Sequence, residues 1–291
     1  MQAIDNINTS SLCPNCGQGP IEGNYCSQCG QRKLSEDDYS VQSLVSDFAS
    51  EVFNIENRFW KSFKDFLFKP ASYTHAYLAG KRKRYLSPLK IFLISNAIYF
   101  LFLAMDAFTT TLNTQLYRLP YSTLTKDIIL GFIEAKGFEY NAFETIYNEA
   151  TGVISKLILI FLPLMFGGVT YLLNFSKRKN KPLVFHLNYA LVLFAFLVLI
   201  GASLLPGLYY ELAMFLNSNL MMKYLTDATI STTIIVLLNV FGFFLYRKFL
   251  ADQWYHVIWK VLSFNLFFII ILQFYRFILL WVSLAWLSIT L

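Results

Sequence analysis

The sequence predicts an all-α polytopic membrane protein with about five transmembrane helices and a small N-terminal zinc ribbon. Three observations carry that prediction. Of 291 residues, 56% are hydrophobic and only 14% are charged, whereas about a quarter of a soluble domain is charged. The apolar excess is gathered into five runs long enough to cross a bilayer. All four cysteines lie between positions 13 and 29.

The cysteines come first in the chain. Cys13-Pro-Asn-Cys16-Gly and Cys26-Ser-Gln-Cys29-Gly are two Cys-x-x-Cys pairs separated by nine residues. Each pair can place two sulfurs about 2.3 Å from one metal ion, and the glycine after it permits the tight turn this needs. Thiolates in a reducing compartment favour Zn²⁺ over disulfides. The alternative is two disulfides or a redox dithiol, which expects a strand–helix setting. Four protein ligands fill a tetrahedral shell and leave no open position, so one structural zinc per chain is expected on Cys13, Cys16, Cys26 and Cys29. Met1 to Ser11 is polar, with neither a basic start nor an apolar core. No signal peptide is expected, and the ribbon (residues 1–35) is expected to stay in the cytoplasm.

Residues 36–80 read as an amphipathic helical segment at the cytoplasmic face. After a polar connector, apolar residues recur from Val41 through Phe48, Val52, Phe59, Phe63 and Phe66 at steps of three and four, with Asp47, Glu51, Lys61 and Lys64 opposite. Pro70 closes the segment. Such a helix either lies in the lipid interface or packs on the ends of the spans, and the two placements are compatible.

Residues 81–291 are the expected membrane domain, with spans at about 88–108, 153–175, 183–205, 228–246 and 257–280. Runs this long and continuous satisfy their backbone groups in lipid only as helices. The connecting loops alternate in charge. Lys81, Arg82, Lys83 and Arg84 precede the first span, acids dominate 109–152, and Lys177-Arg178-Lys179 with Lys181 separates spans two and three. Pro206 to Asp227 carries one cation, and Arg247, Lys248 and Lys260 flank the following turn. This alternation places the amino terminus inside and the carboxyl terminus outside. The same argument makes Lys81–Arg84 an orientation signal, with lipid headgroups as its natural contact, and no nucleic-acid partner is expected. The final apolar stretch exceeds one span. Either Arg276 snorkels to the outer surface with the tail beyond it, or 277–291 folds back as a further segment.

The assembled motifs resemble a family of uncharacterised bacterial membrane proteins, the domain of unknown function 3667. The resemblance rests on the Cys-x-x-Cys-Gly and Tyr-Cys-x-x-Cys-Gly-Gln ribbon, on Lys69-Pro70, and on the pattern from Tyr77 to Leu89 that leads into the first span. It covers about the first 105 residues by motif and the remainder by hydropathy. Family members often carry a His-bearing motif where Phe185-His186-Leu187-Asn188 stands. The resemblance implies a bacterial inner-membrane location and this architecture, with no established activity.

Polar residues inside spans are candidate functional positions because each costs free energy unless paired. They are Asn96, His186, Asn188, Asn239 and Arg276. The bland reading makes each asparagine a tie between helices and His186 an interfacial residue. Pro163 with Gly167-Gly168 either breaks a helix at mid-membrane or kinks and closely packs it. No nucleophile motif, phosphate loop or paired-carboxylate arrangement occurs. The expected role is non-enzymatic, a scaffold or regulator that binds a protein partner or a second copy through the ribbon. The alternative is a small transporter or channel using the in-span polar residues.

Overall fold

The apolar runs fold as helices that share one core. The computed structural model describes residues 12–18, 21, 23–33, 38, 40, 58–101, 108–175, 181–217, 223, 226–250 and 253–291. Among them the elements are α1 (Arg58–Phe68), α2 (Pro70–Leu78), α3 (Pro88–Leu101), α4 (Leu112–Tyr117), α5 (Ser122–Ala135), α6 (Tyr140–Ile158) and α7 (Phe161–Leu173). They are followed by α8 (Leu183–Phe196), which continues through a π-helical segment (Leu197–Leu204) into α9 (Leu205–Phe215), then α10 (Asp227–Leu250) and α11 (Trp254–Thr290). No strand occurs among the described residues. The expected amphipathic turns from Val41 to Ile55 lie outside them.

Among the described residues, three helices are long and apolar enough to cross a membrane: Leu183–Phe215, Ser231–Phe249 and Trp254–Thr290. The bent pair Tyr140–Ile158 and Phe161–Leu173 makes a fourth if it is one span. Helix α3 has 14 described residues, about 21 Å at 1.5 Å per residue, and 102–107 lie outside the described set. The 48° bend between α6 and α7 has its cause in Pro163. Without an amide hydrogen it leaves the Leu159 carbonyl unpaired at that position, and the carbonyl instead accepts from Leu162 N at 3.1 Å.

Helix α8 is the hub. Val184 through Ala195 are all buried, and α3, α7 and α10 pack around it. Gly167 on α7 brings the two backbones together: a Cβ there would stand 3.1 Å from Leu187 Cα. Rings fill the remaining space, with Phe196 stacked on Phe241 at 3.8 Å and Phe166 edge-on to Phe194 and Phe264. Helix α1 packs on this bundle through Phe66, which meets Phe196, while Trp60 and Phe68 stay exposed. The described part of the amphipathic segment thus packs on the bundle, with two large apolar side chains left facing outward.

The segment 109–152 was expected only as an acidic loop. It is helical, and α4, α5 and α6 bury Leu112, Leu116, Ile129, Ile133, Phe143 and Tyr147 against Leu280, Leu284 and Leu287 of α11. That accounts for the surplus length of the last apolar run. Helix α11 has 37 residues, about 55 Å, and does not fold back. Beyond Arg276 its far part is the fourth member of a small helical cluster at the end of the bundle opposite the ribbon.

Candidate metal centre and the loop that holds it

The two Cys-x-x-Cys turns have the same local structure. Gly17 N donates to Cys13 O at 2.8 Å and Gly30 N to Cys26 O at 2.7 Å. Both glycines are left-handed, φ +72° and +65°, where a Cβ is sterically opposed. The second turn caps a short antiparallel pairing: Tyr25 bridges Arg32, and Cys26 N donates to Gln31 O at 2.8 Å. These turns bring all four sulfurs within 4.8 Å of one another. Cys13 and Cys29 are 3.6 Å apart and Cys16 and Cys26 3.8 Å. Four thiolates around one tetrahedral ion at 2.3 Å stand about 3.8 Å apart, so the spacing fits a single metal. All four are free thiols.

Burial pushes the Cys13 thiol up to about 11. At Cys29 burial also opposes ionisation, but hydrogen bonds from the Asn15 side chain and the Gln31 backbone, with the pairing to Cys13, bring it down to about 7. A metal ion would take all four as thiolates, displacing protons.

The ribbon is fastened to the basic loop between α2 and α3. Gln31, buried, accepts from Lys83 N through Oε1 at 3.0 Å and donates to Arg32 O through Nε2 at 3.1 Å. The Lys83 ammonium lies over Gly30, where an added Cβ would stand 2.6 Å from Nζ. Asp38, also buried, pairs with Arg32, while Arg82 donates to the Asp38 carbonyl at 2.7 Å. Arg82 and Lys83, expected as orientation charges, thus also hold the ribbon. Arg84 stacks over Tyr85 at 5.7 Å, and the Lys81 amide donates to Ala76 O at 3.1 Å.

Helices α1 and α2 support that loop by side-chain bonds to its backbone. Ser62 Oγ accepts from Leu86 N at 2.8 Å, Tyr73 Oη donates to Leu86 O at 2.6 Å, and Tyr85 Oη donates to Asp65 at 2.8 Å. Gly80, φ +98°, makes the reversal out of α2. Gln31, Asp38, Ser62 and Tyr73 carried no sequence signal of their own, although Gln31 stood in the Cys-Gly-Gln motif without a role.

The in-span candidates do not converge. Asn96 Nδ2 donates across to Lys156 O at 3.0 Å, tying α3 to α6. Asn188 bonds its own helix at Val184 O. Asn239 forms a reciprocal amide pair with Asn265, 3.0 and 2.8 Å, joining α10 to α11. His186 is buried with neither ring nitrogen hydrogen-bonded, edge-on to Tyr171 and Phe249. Arg276 marks where α11 leaves the bundle, its carbonyl accepting from Gln115 Nε2 at 3.2 Å.

Residues 56–100 match the family model "Protein of unknown function (DUF3667)". The matched stretch takes in α1, α2, the basic loop and α3, the part of the chain that carries the ribbon's seat. No curated protein and no solved structure matches the chain.

Proposed function

We propose that this is a multi-pass protein of the bacterial inner membrane, non-enzymatic, whose cytoplasmic ribbon holds one structural zinc and recruits a protein partner. One observation carries the reading. The Cys₄ cluster is closed on itself and clamped to the membrane-proximal loop by Gln31 and Asp38, yet it presents Tyr25 and Leu12 outward, 61% and 50% exposed. Tyrosine is enriched where proteins meet, and these outward side chains support the reading. The cytoplasmic placement follows from the loop charges, and the gathering of Lys81, Lys181, Lys248 and Lys260 at the ribbon's end of the bundle agrees with it. The five-span reading takes α3 into the first span and the bent pair as the second.

Affinity purification from cells tests the reading with intact protein, Tyr25→Ala and Cys16→Ser. The same partner should be lost from both variants, while Tyr25→Ala keeps one zinc per chain and Cys16→Ser does not. An unchanged set of bound proteins in Cys16→Ser would sink it.

The transporter reading draws on the 48° bend at Pro163 and on the π-helical segment that follows α8, since π turns often accompany functional sites. Solute flux into liposomes that survives deletion of residues 1–35 and is lost on replacing Asn96, His186, Asn188 and Asn239 by leucine would favour it instead.

A further inference from the structure

Beyond Arg82 and Lys83, which the ribbon engages, further lysines lie at that end. Lys248, exposed at the end of α10, donates through Nζ to Ser72 Oγ at 3.0 Å. Ser72 and His75 are one turn apart on α2 and so share a face. Lys181, just before α8, rests its ammonium 4.6 Å from the ring centroid of Phe249, the residue after Lys248. Lys81 is drawn back onto the end of α2 by its amide bond to Ala76 O at 3.1 Å and by the Gly80 turn. Three stretches far apart in sequence, residues 72–81, Lys181 and the end of α10, thus meet at one end of the bundle. The proton affinity of His75 there is lowered by burial and then by the fields of Lys248, Lys181 and Lys81.

Orientation in a membrane needs cations in these loops but not their convergence. Cations gathered at one end of a bundle repel one another, and an anion beside them would lower that repulsion. The depth narrows the choice. The site lies where α3 and α8 begin and α10 ends, and exposed Trp254, Tyr255 and Trp259 open α11 after the turn from α10, the aromatic arrangement found at headgroup level.

We propose that Lys81, Lys181, Lys248, His75 and Ser72 form a binding site for a phosphate group, that of an anionic phospholipid headgroup. Three point-charge ammonium donors, a hydroxyl and an imidazole suit a phosphodiester, whose oxygens accept from several directions. Basic pockets between membrane helices on the cytoplasmic side bind anionic headgroups in this way. The inference rests on the chain being membrane-embedded with this end at the inner boundary, but not on the ribbon's partner, so the two can fail separately.

The test uses full-length protein in nanodiscs of phosphatidylcholine with or without phosphatidylglycerol, with retained lipid read by native mass spectrometry. Intact protein should keep one phosphatidylglycerol in preference to phosphatidylcholine. The Lys81→Gln/Lys181→Gln/Lys248→Gln variant should hold it about 100-fold more weakly, taking about fivefold per lysine. Lys126→Gln/Lys136→Gln, on α5 at the opposite end, should bind as the intact chain does. Unchanged zinc content and unfolding temperature in the triple variant would show that it folds. Release of the lipid by millimolar inorganic phosphate would keep the phosphate chemistry and assign the site to a soluble phosphate instead. Equal retention of phosphatidylglycerol by the triple variant and the intact chain would overturn the proposal.

Discussion

The ribbon depends on two backbone conformations and the loop beneath it on two side-chain bonds. Alanine at Gly17 would hold a left-handed conformation at about 1–2 kcal/mol, which predicts metal binding weakened about five- to thirtyfold in competition with a chromophoric chelator. Gly30→Ala should lose more, because its Cβ would also displace the Lys83 ammonium. Ser62→Ala orphans the buried Leu86 amide and Tyr73→Phe its carbonyl, each costing about 1–3 kcal/mol. Both should lower the unfolding temperature by a few degrees. The proton balance at His75 gives a pH dependence of definite sign. Folded, its affinity for a proton is below the ordinary imidazole value of 6.5. As pH falls through 6.5 the unfolded chain binds a proton that the folded one refuses, so stability drops on acidification. In His75→Gln the fall in unfolding temperature between pH 7.5 and 5.5 should be shallower. At this scale the sequence was readable where spacing carries chemistry, as in the cysteine pairs. It was silent on Ser62 and Tyr73, because a serine or tyrosine that bonds a distant backbone looks like any other.

Among the elements, α7 and α8 are set by a glycine and a proline that do different things. Gly167→Ala would drive a methyl against the Leu187 backbone, an overpacking cost of about 1–3 kcal/mol, whereas Gly168→Ala meets nothing within 4 Å. Thermal unfolding of the two variants side by side should show loss for the first and little change for the second. The pair Gly167-Gly168 reads alike in sequence, since only the facing helix decides which one matters. Pro163 was legible as a bend, but not its 48° angle, which follows from how α6 leaves toward the opposite cluster. The ribbon's attachment is an element-level contact too. Gln31→Ala keeps all four ligands but removes the acceptor for Lys83 N. Hydrogen exchange across residues 12–33 should rise while zinc content stays at one per chain. Unchanged exchange would mean that Arg82 and Asp38 suffice to hold it.

Across the whole molecule, hydropathy foretold helices and charge alternation foretold which loops share an end. Neither foretold the helical cluster at the far end, because its apolar residues are spaced for one face of short helices among acids, and their partner lies far downstream. Leu280, Leu284 and Leu287 looked like surplus membrane helix, for a helix buried in protein and one buried in lipid present the same residues. Removing 277–291 tests the assignment. The segment 109–152 should become sensitive to protease added on the far side, while the ribbon keeps its metal.

That distant partnership also has a consequence in time. Ile133 and Leu280 are neighbours in one small core, yet at about 5–20 residues per second the roughly 150 residues between them take about 7–30 s to make. On the proposed topology, the apolar faces of α4 and α5 stand bare beyond the membrane for that interval, and only the arrival of α11 covers them. On that topology, the interval of synthesis is when this small core is most exposed to misassembly.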